Sequence, residues 1–407
     1  MQDVTDRHSL QPKPLRVLDH LAKRILIAAF ERIKIGSLAV TWPDGSTHVF
    51  GRDATNRIDV TFRNRVVLRR LLLGGAMAFA EAYMAGHIQV SDLPRLIKLA
   101  IENETDQLPV MQGSLVARLW HKWRHLLHTN SKADSRRNIA HHYDLGNDFY
   151  RQWLDASLTY SAAFFESEDQ SLHQAQQAKY QRIADLAQIG AGDKVLEIGC
   201  GWGGFAEMAA GIGCDVVGLT LSEEQAKFAR QRLAKAGLPG QADIRLQDYR
   251  DCDGEFDAVV SIEMFEAIGE RHWPLYFQQL RDRLKPGKCA ALQIITIAEE
   301  RFQTYRANAD FIQRYVFPGG MLPTKTILES LSRQAGFEVT SVTAFGQSYA
   351  RTLASWRSTF HAAWSALAEL GFDQRFRDMW DYYLCYCQAG FETNCIDVVH
   401  LQLRRPA

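Results

Sequence analysis

The stretch Val195–Phe205, VLEIGCGWGGF, decides the fold. Gly199, Gly201 and Gly204 spell G-x-G-x-x-G between a strand-like run, KVLEIGC, and a helix-like run, GFAEMAAGIG. A glycine turn of this kind lets a ligand approach the backbone, and the following helix N-terminus offers N–H donors and a positive dipole end. A dinucleotide site also needs an acid at the end of the second strand, about 20 residues on, for a ribose hydroxyl. Here that strand ends GLTLS, so Thr220 and Ser222 hold the corner, and the acid is Glu197, two positions before Gly199. A tight turn without a ligand is the bland alternative, but four glycines around Trp202 serve no evident core purpose.

Working outward, strand-like and helix-like segments alternate from about Asn138. DVVGLTL reads as a strand. SEEQAKFARQRLAKAG reads as a helix with Ser222 as cap and Gly237 as stop. FDAVVSIE is a strand, as is CAALQIITI after a turn in LKPGK. This alternation predicts an α/β fold with a doubly wound, mostly parallel sheet. The late run IDVVHLQL is expected to add antiparallel at the sheet edge.

Before Asn138 the pattern differs. GSLAVTWPDGSTHVFG sets Pro43, Asp44 and Gly45 between two alternating runs, which predicts a hairpin. RIDVTF follows as a strand, with helices expected over 68–85 and 93–104, so residues 1–105 read as a small α+β domain. Residues 106–137 carry LVARLWHKWRHLLHTN, where Leu115, Leu119, Trp123 and Leu127 recur every four residues and Arg118, His121, Lys122 and His125 lie elsewhere. That is an amphipathic helix with a basic side, either a packed linker or a helix on an anionic membrane. Residues 138–407 form the α/β domain.

Composition excludes several classes. The 407 residues contain 46% hydrophobic and 23% charged residues, as in soluble proteins with a sizeable core. Lys plus Arg and Asp plus Glu are 47 each, so no basic excess points to nucleic acid. Seven cysteines without a C-x-x-C pair argue against a disulfide framework or zinc, and fit a reducing cytosol. The cluster His121, His125, His128, His141 and His142 lacks supporting Cys or carboxylate spacing, so no metal is expected. MQDVTDRHSL has no apolar core for a signal peptide, and the run LLLGGAMAFA is cut by Glu81 well short of the roughly 20 residues a spanning helix needs. A soluble or peripheral cytoplasmic protein is expected. Two-fold dimers are the commonest assemblies, so a homodimer is expected too.

The order hydrophobic–acid–hydrophobic–G-x-G resembles the first motif of class I methyltransferases that use S-adenosylmethionine. Asp248, in LQDYRD, falls after the third strand, where that fold commonly reads the adenine amino group; a solvated turn aspartate is the alternative. More specifically, NIAHHYDLGNDFY, LTYSAAFFE, AQQAKYQRI, LEIGCGWGGFAE, VVGLTLSEEQ, LQDYRD, EMFEAIG, FIQRYVFPGGMLP and SYARTLASW, in this order, resemble the cyclopropane fatty acid synthase family, mycolic acid methyltransferases included. The N-terminal module resembles the sterol-carrier-like domain of the phospholipid-modifying members.

This resemblance implies transfer of a methyl group from S-adenosylmethionine to the cis double bond of an unsaturated phospholipid acyl chain, at the inner face of the membrane. It implies cofactor contacts at Tyr160, Ser161, Glu197, Gly199, Gly201, Thr220, Gln225 and Asp248, with Glu266 and Tyr349 as catalytic residues. His142 would pack near the cofactor, and YVFPGGMLP would form a lid over the acyl tunnel. In ring-forming members a base, thought to be bound bicarbonate, takes a methyl proton and the cyclopropane closes.

Two departures stand out. Ala162 replaces a family cysteine, and Ile295, with Thr296 and Ile297, replaces a His-Thr-Ile run. Neither Ala162 nor Ile295 can ionise or donate a hydrogen bond from its side chain, although both lost groups help hold the bicarbonate. Plant-type members lack the histidine too and carry a Gln near the same strand, as Gln293 does here. Cyclopropane formation, methylation without ring closure, as in methyl-branched or furan fatty acid precursors, and a lipid-binding protein without catalysis are the readings these residues leave. Cys385, Cys387 and Cys395 read as small packing residues without a histidine partner.

Overall fold

The computed structural model describes residues 17–52, 57–104, 145–308 and 310–407. The expected amphipathic helix of 106–137 and the whole histidine cluster lie outside the described residues. The chain divides into two compact units, Met1–Trp123 with Asp373–Ala389, and Arg124–Phe372 with Gly390–Ala407.

In the first unit, β1 (Ser37–Thr41) and β2 (Thr47–Gly51) pair antiparallel across the turn at Pro43, Asp44 and Gly45, as expected. The turn is held by Lys23, whose Nζ donates to Asp44 Oδ2 at 2.7 Å and to Ser46 Oγ. β3 (Arg57–Phe62) lies parallel to β1, and β4 (Ile88–Val90) completes a four-stranded sheet of order β2-β1-β3-β4. Helices Val17–Phe30, Val66–Met84 and Leu93–Glu102 accompany it, the last capped by Asp92, which accepts from Arg95 N. The core gathers Leu26, Val40, Trp42, Val60, Phe62 and Leu68. From the distant 373–389 segment, Asp381 accepts a hydrogen bond from Tyr83 Oη at 2.8 Å.

The second unit is built on seven strands in the order β10-β11-β9-β8-β5-β6-β7. β5 (Lys194–Ile198), β6 (Asp215–Thr220), β7 (Ala242–Leu246), β8 (Phe256–Ile262) and β9 (Leu284–Ile297) run parallel. Their central residues are apolar on both faces because helices cover both sides. Leu196 and Val259 face one core with Phe265, Tyr276 and Phe277; Val195 and Val260 face another with Ile183, Phe205 and Ala229. The capped helix at Ser222 spans Glu223–Lys235 and stops before Gly237.

Two expectations change. LKPGK is not a turn before β9 but part of it: Phe256 pairs with Leu284 and Ala258 with Cys289, so the strand absorbs the extra residues as an irregularity, with Gly287 at φ 77°. IDVVHLQL does form an antiparallel strand, β11 (Ile396–Arg404), but not the edge. β10 (Glu338–Ala344) pairs outside it. Val398, Val399, Leu401 and Leu403 are fully buried, which an interior strand explains; β10 alternates exposed and half-buried residues, as an edge strand should.

Candidate active site

The strand order reverses between β5 and β8, and the loops after these two strands meet there; in open α/β sheets this switch point is where ligands bind. After β5, Gly199 takes φ 85° and Gly201 φ 52°. A Cβ on Gly199 would come within 2.9 Å of Met264 Cγ in the loop after β8. A Cβ on Gly201 would meet nothing within 4 Å, so the backbone there faces open space. Trp202, by contrast, is packed inward, its Nε1 donating to Asn147 Oδ1 at 2.7 Å and its ring 5.0 Å from Tyr150.

Glu197 is buried beneath this loop, and its Oε2 has no hydrogen-bond partner. Burial pushes its carboxyl up to about 8 against the pull of the Lys179 ammonium. At the end of β6, Thr220 Oγ1 donates to Gln225 Oε1 at 2.9 Å, which leaves the Gln225 amide hydrogens to offer a ligand. Asp248 is buried at the start of the turn after β7, with both carboxylate oxygens on Arg250 at 2.8 and 2.6 Å. On the opposite wall, the Tyr160 ring lies 5.3 Å from Trp356, and Ser161 Oγ accepts from Lys179 Nζ at 2.7 Å. An open glycine cradle, an unpartnered buried carboxylate oxygen and free amide hydrogens fit an ammonium-bearing, ribose-bearing ligand.

The sequence motif EMFEAIG holds two acids three residues apart, and both point into the site. Glu266, on a single helical turn after β8, accepts from Ile295 N at 2.5 Å through Oε1, while its Oε2 has no partner. Burial, then the charge of Glu263, pushes its carboxyl up to about 8. Ile295 therefore contributes through its backbone N–H what its side chain cannot. Ile297 N is engaged elsewhere, with Pro323 O at 2.9 Å. The FPGGML stretch is tied to the same turn, since Met321 N donates to Glu266 O at 2.8 Å.

Tyr349 is bonded to the other acid of the motif, Glu263. Its Oη donates to Glu263 Oε2 at 2.8 Å, while Ala162 N and Gln293 Nε2 donate to Glu263 Oε1 at 2.8 and 2.7 Å. Glu263 keeps part of its surface open and adopts φ 50°, unusual for a residue with a side chain. Gln293 is oriented from behind. Arg182 Nε donates to His400 Nδ1 at 3.0 Å, so His400 carries its proton on Nε2 and donates to Gln293 Oε1 at 2.8 Å. Burial, then the charges of Arg182 and Lys179, lowers His400 to about 3 and keeps it neutral.

Sequence reasoning missed Glu263, Lys179 and His400. Lys179 is fully buried on the helix Leu172–Ala187, and burial lowers its ammonium to about 7 while Glu263, Asp155 and Glu197 pull upward. Its signal was a lysine on the face formed by Ala175, Ile183 and Ala187. The signal for Glu263 was the paired acid in EMFEAIG, and for His400 a histidine on an otherwise apolar strand.

Residues 130–401 match the family model of mycolic acid cyclopropane synthetase, and residues 25–110 match a domain of unknown function. The chain belongs to the mycolic acid cyclopropane synthetase family. It is 38% identical to a tuberculostearic acid methyltransferase, UfaA1, of Mycobacterium tuberculosis, over 84% of this chain and 82% of that one. It is 34% identical to the cyclopropane-fatty-acyl-phospholipid synthase of Escherichia coli K12, over 84% and 86%. Among solved structures it resembles mycolic acid cyclopropane synthase CmaA1 complexed with SAH and CTAB, with TM-score 0.62 and 30% identity, covering 66% of this chain and 97% of that one. The second unit is thus a class I methyltransferase fold, and the protein is an S-adenosylmethionine-dependent methyltransferase.

Proposed function

We propose that this enzyme transfers a methyl group from S-adenosylmethionine to the cis double bond of unsaturated acyl chains in membrane phospholipids and closes the product to a cyclopropane. The observation that carries this reading is the pair of acids, Glu263 and Glu266, set at the end of β8 against the glycine loop of β5. S-adenosylmethionine, when bound, supplies a methyl carbon made electrophilic by its positively charged sulfur. Gly199 and Gly201 form the floor for its amino-acid and ribose parts, Glu197 and Gln225 receive its polar groups, and Thr220 orients Gln225. Tyr160 and Ser161 close the opposite wall, and Asp248 lies on the adenine side. Glu266 turns a carboxyl oxygen dipole towards the positive charge that develops on the acyl chain and offsets part of it. Buried Trp153 and Trp356 beside Tyr160, with Phe360 behind Trp153, keep water away from that charge.

Residues 1–105 act as a lipid-engaging domain, 106–137 as a basic linker directed at the membrane surface, and 138–407 as the methyltransferase domain, peripheral at the inner membrane face in the cytoplasm and assembled as a homodimer. What supports the peripheral reading is that Val17, Leu18, Leu21 and Ile25 expose an apolar strip on the helix Val17–Phe30.

A second reading, methyl branching without ring closure, draws on Ala162 and Ile295, whose side chains cannot hold an external base, and on the likeness to a tuberculostearic acid methyltransferase. The test is incubation with liposomes of mono- and di-unsaturated phospholipids and deuterated-methyl S-adenosylmethionine, then mass spectrometry and NMR of the released fatty acids. Label in a cyclopropane supports the first reading and label in a chain that stays unsaturated the second. No label in any lipid sinks both and leaves a lipid-binding protein.

A further inference from the structure

We propose that Glu263 is a built-in base, a carboxylate of the protein itself that takes the proton the methylated acyl chain must lose. The inference rests on the methyl-transfer reading above and adds the residue that completes it. Ala162 N–H, the Gln293 amide and the Tyr349 hydroxyl converge on the two oxygens of one carboxylate, at 2.8, 2.7 and 2.8 Å. Three donors aimed at one small planar anion make a carboxylate seat, and the chain fills that seat with its own Glu263 side chain.

The surroundings are arranged for this side chain. Glu263 N donates to Gln293 O at 2.8 Å, so the residue prolongs β8 alongside β9, and its φ of 50° then swings the side chain across the Gln293 amide. A left-handed backbone at a residue with a Cβ persists only where the rest of the structure imposes it, and such positions gather at functional sites. Behind Gln293 the chain of Arg182 and His400 allows one orientation of the amide, the one that donates towards Glu263. Lys179 adds a positive charge that favours the ionised form, whereas burial pushes the Glu263 carboxyl up and makes it a stronger base when ionised. Of the two acids, Glu263 has three donors and Glu266 one, so a single shared proton resides on Glu266.

The step balances without an external reactant. The π electrons of the double bond form the new C–C bond to the transferred methyl carbon as its bond to sulfur breaks, which leaves a cation on the neighbouring chain carbon. Glu263 then accepts one proton. When that proton comes from the new methyl group, the released C–H electron pair closes the cyclopropane; when it comes from the adjoining chain carbon, the pair makes a double bond. In both cases the cation is neutralised and no reductant is needed.

The test uses the full chain, liposomes of cis-unsaturated phospholipid and deuterated-methyl S-adenosylmethionine in buffer purged of carbon dioxide. The wild-type rate is expected to be the same with and without added bicarbonate. Glu263→Gln should lose about 100-fold or more in labelled product, with S-adenosylhomocysteine binding by calorimetry kept. Glu263→Gly, which suits the positive φ, should be inert alone and regain turnover saturably with formate or bicarbonate. Carbon-13 formate should bind this variant and not the wild type by NMR. A wild type that requires bicarbonate, or Glu263→Gln with wild-type turnover, overturns the proposal. If the wild type labels no lipid, the methyl-transfer reading has failed instead; formate binding still decides the carboxylate seat, and its absence in Glu263→Gly overturns that as well.

Discussion

A buried amide between two strands sets the behaviour of the acids in front of it. Gln293 has no exposed surface and spends its Nε2 on Glu263 and on Ala162 O. Gln293→Met keeps the volume and removes the donor, so it should cut kcat about tenfold or more while S-adenosylhomocysteine affinity holds. Losing a donor to the ionised form also raises the Glu263 carboxyl, so the acid limb of the pH–rate profile should move to higher pH. The groups that share this limb are Glu263, Glu266 and Lys179, with Glu197 acting on Lys179 and His400 neutral behind them, and the observed values belong to the set. Glu266→Gln should lower kcat about 100-fold and shift the pH dependence of the coupled set, read from kcat profiles over pH 6 to 9. EMFEAIG pointed to Glu266 through the resemblance but not to Glu263 or its partners, because whether an acid after a strand faces solvent or a neighbouring strand depends on β9 lying beside β8 and β11 beside β9.

At the scale of an element, the glycine loop was legible because its chemistry is local. A positive φ and a close approach are properties of the segment itself, and G-x-G-x-x-G after a strand states them. Gly199→Ala meets both obstacles, φ 85° and Met264 Cγ at 2.9 Å. A left-handed backbone costs a residue with a Cβ about 1–2 kcal/mol, so binding of S-adenosylhomocysteine should weaken about tenfold in calorimetry, and the melting temperature should fall. β11 behaves differently. Its alternating pattern gave strand and direction, but its interior position depends on β10, a weakly apolar edge strand with no comparable signal. LKPGK likewise reads as a turn by residue type, yet pairing with β8 keeps it in the strand.

Over the whole molecule, buried acids couple stability to pH. The Glu197 carboxyl sits at about 8 in the folded chain against an unfolded value near 4.5, so between these values the folded state holds a proton that the unfolded state has released. Stability of the ligand-free protein therefore falls as pH rises from about 5 to 8, by up to about 1.4 kcal/mol per pH unit from this group. Glu197→Gln should flatten that slope in calorimetric melts. If the N-terminal domain engages lipid as proposed, Leu21→Glu in the exposed strip should weaken partition onto anionic liposomes in a sedimentation assay, with the rate on a water-soluble short-chain substrate unchanged. By itself the sequence determined the class of sheet and the glycine loop, which rest on local backbone chemistry and on strand and helix periodicity, and the family, which rests on the order of its motifs. Only the tertiary structure decided that Glu263, Gln293, His400 and Tyr349 form one hydrogen-bonded set, because they come from β8, β9, β11 and the helix Gly346–Ala362. Hydrogen bonds between residues so far apart in the chain exist only once the strands are in register.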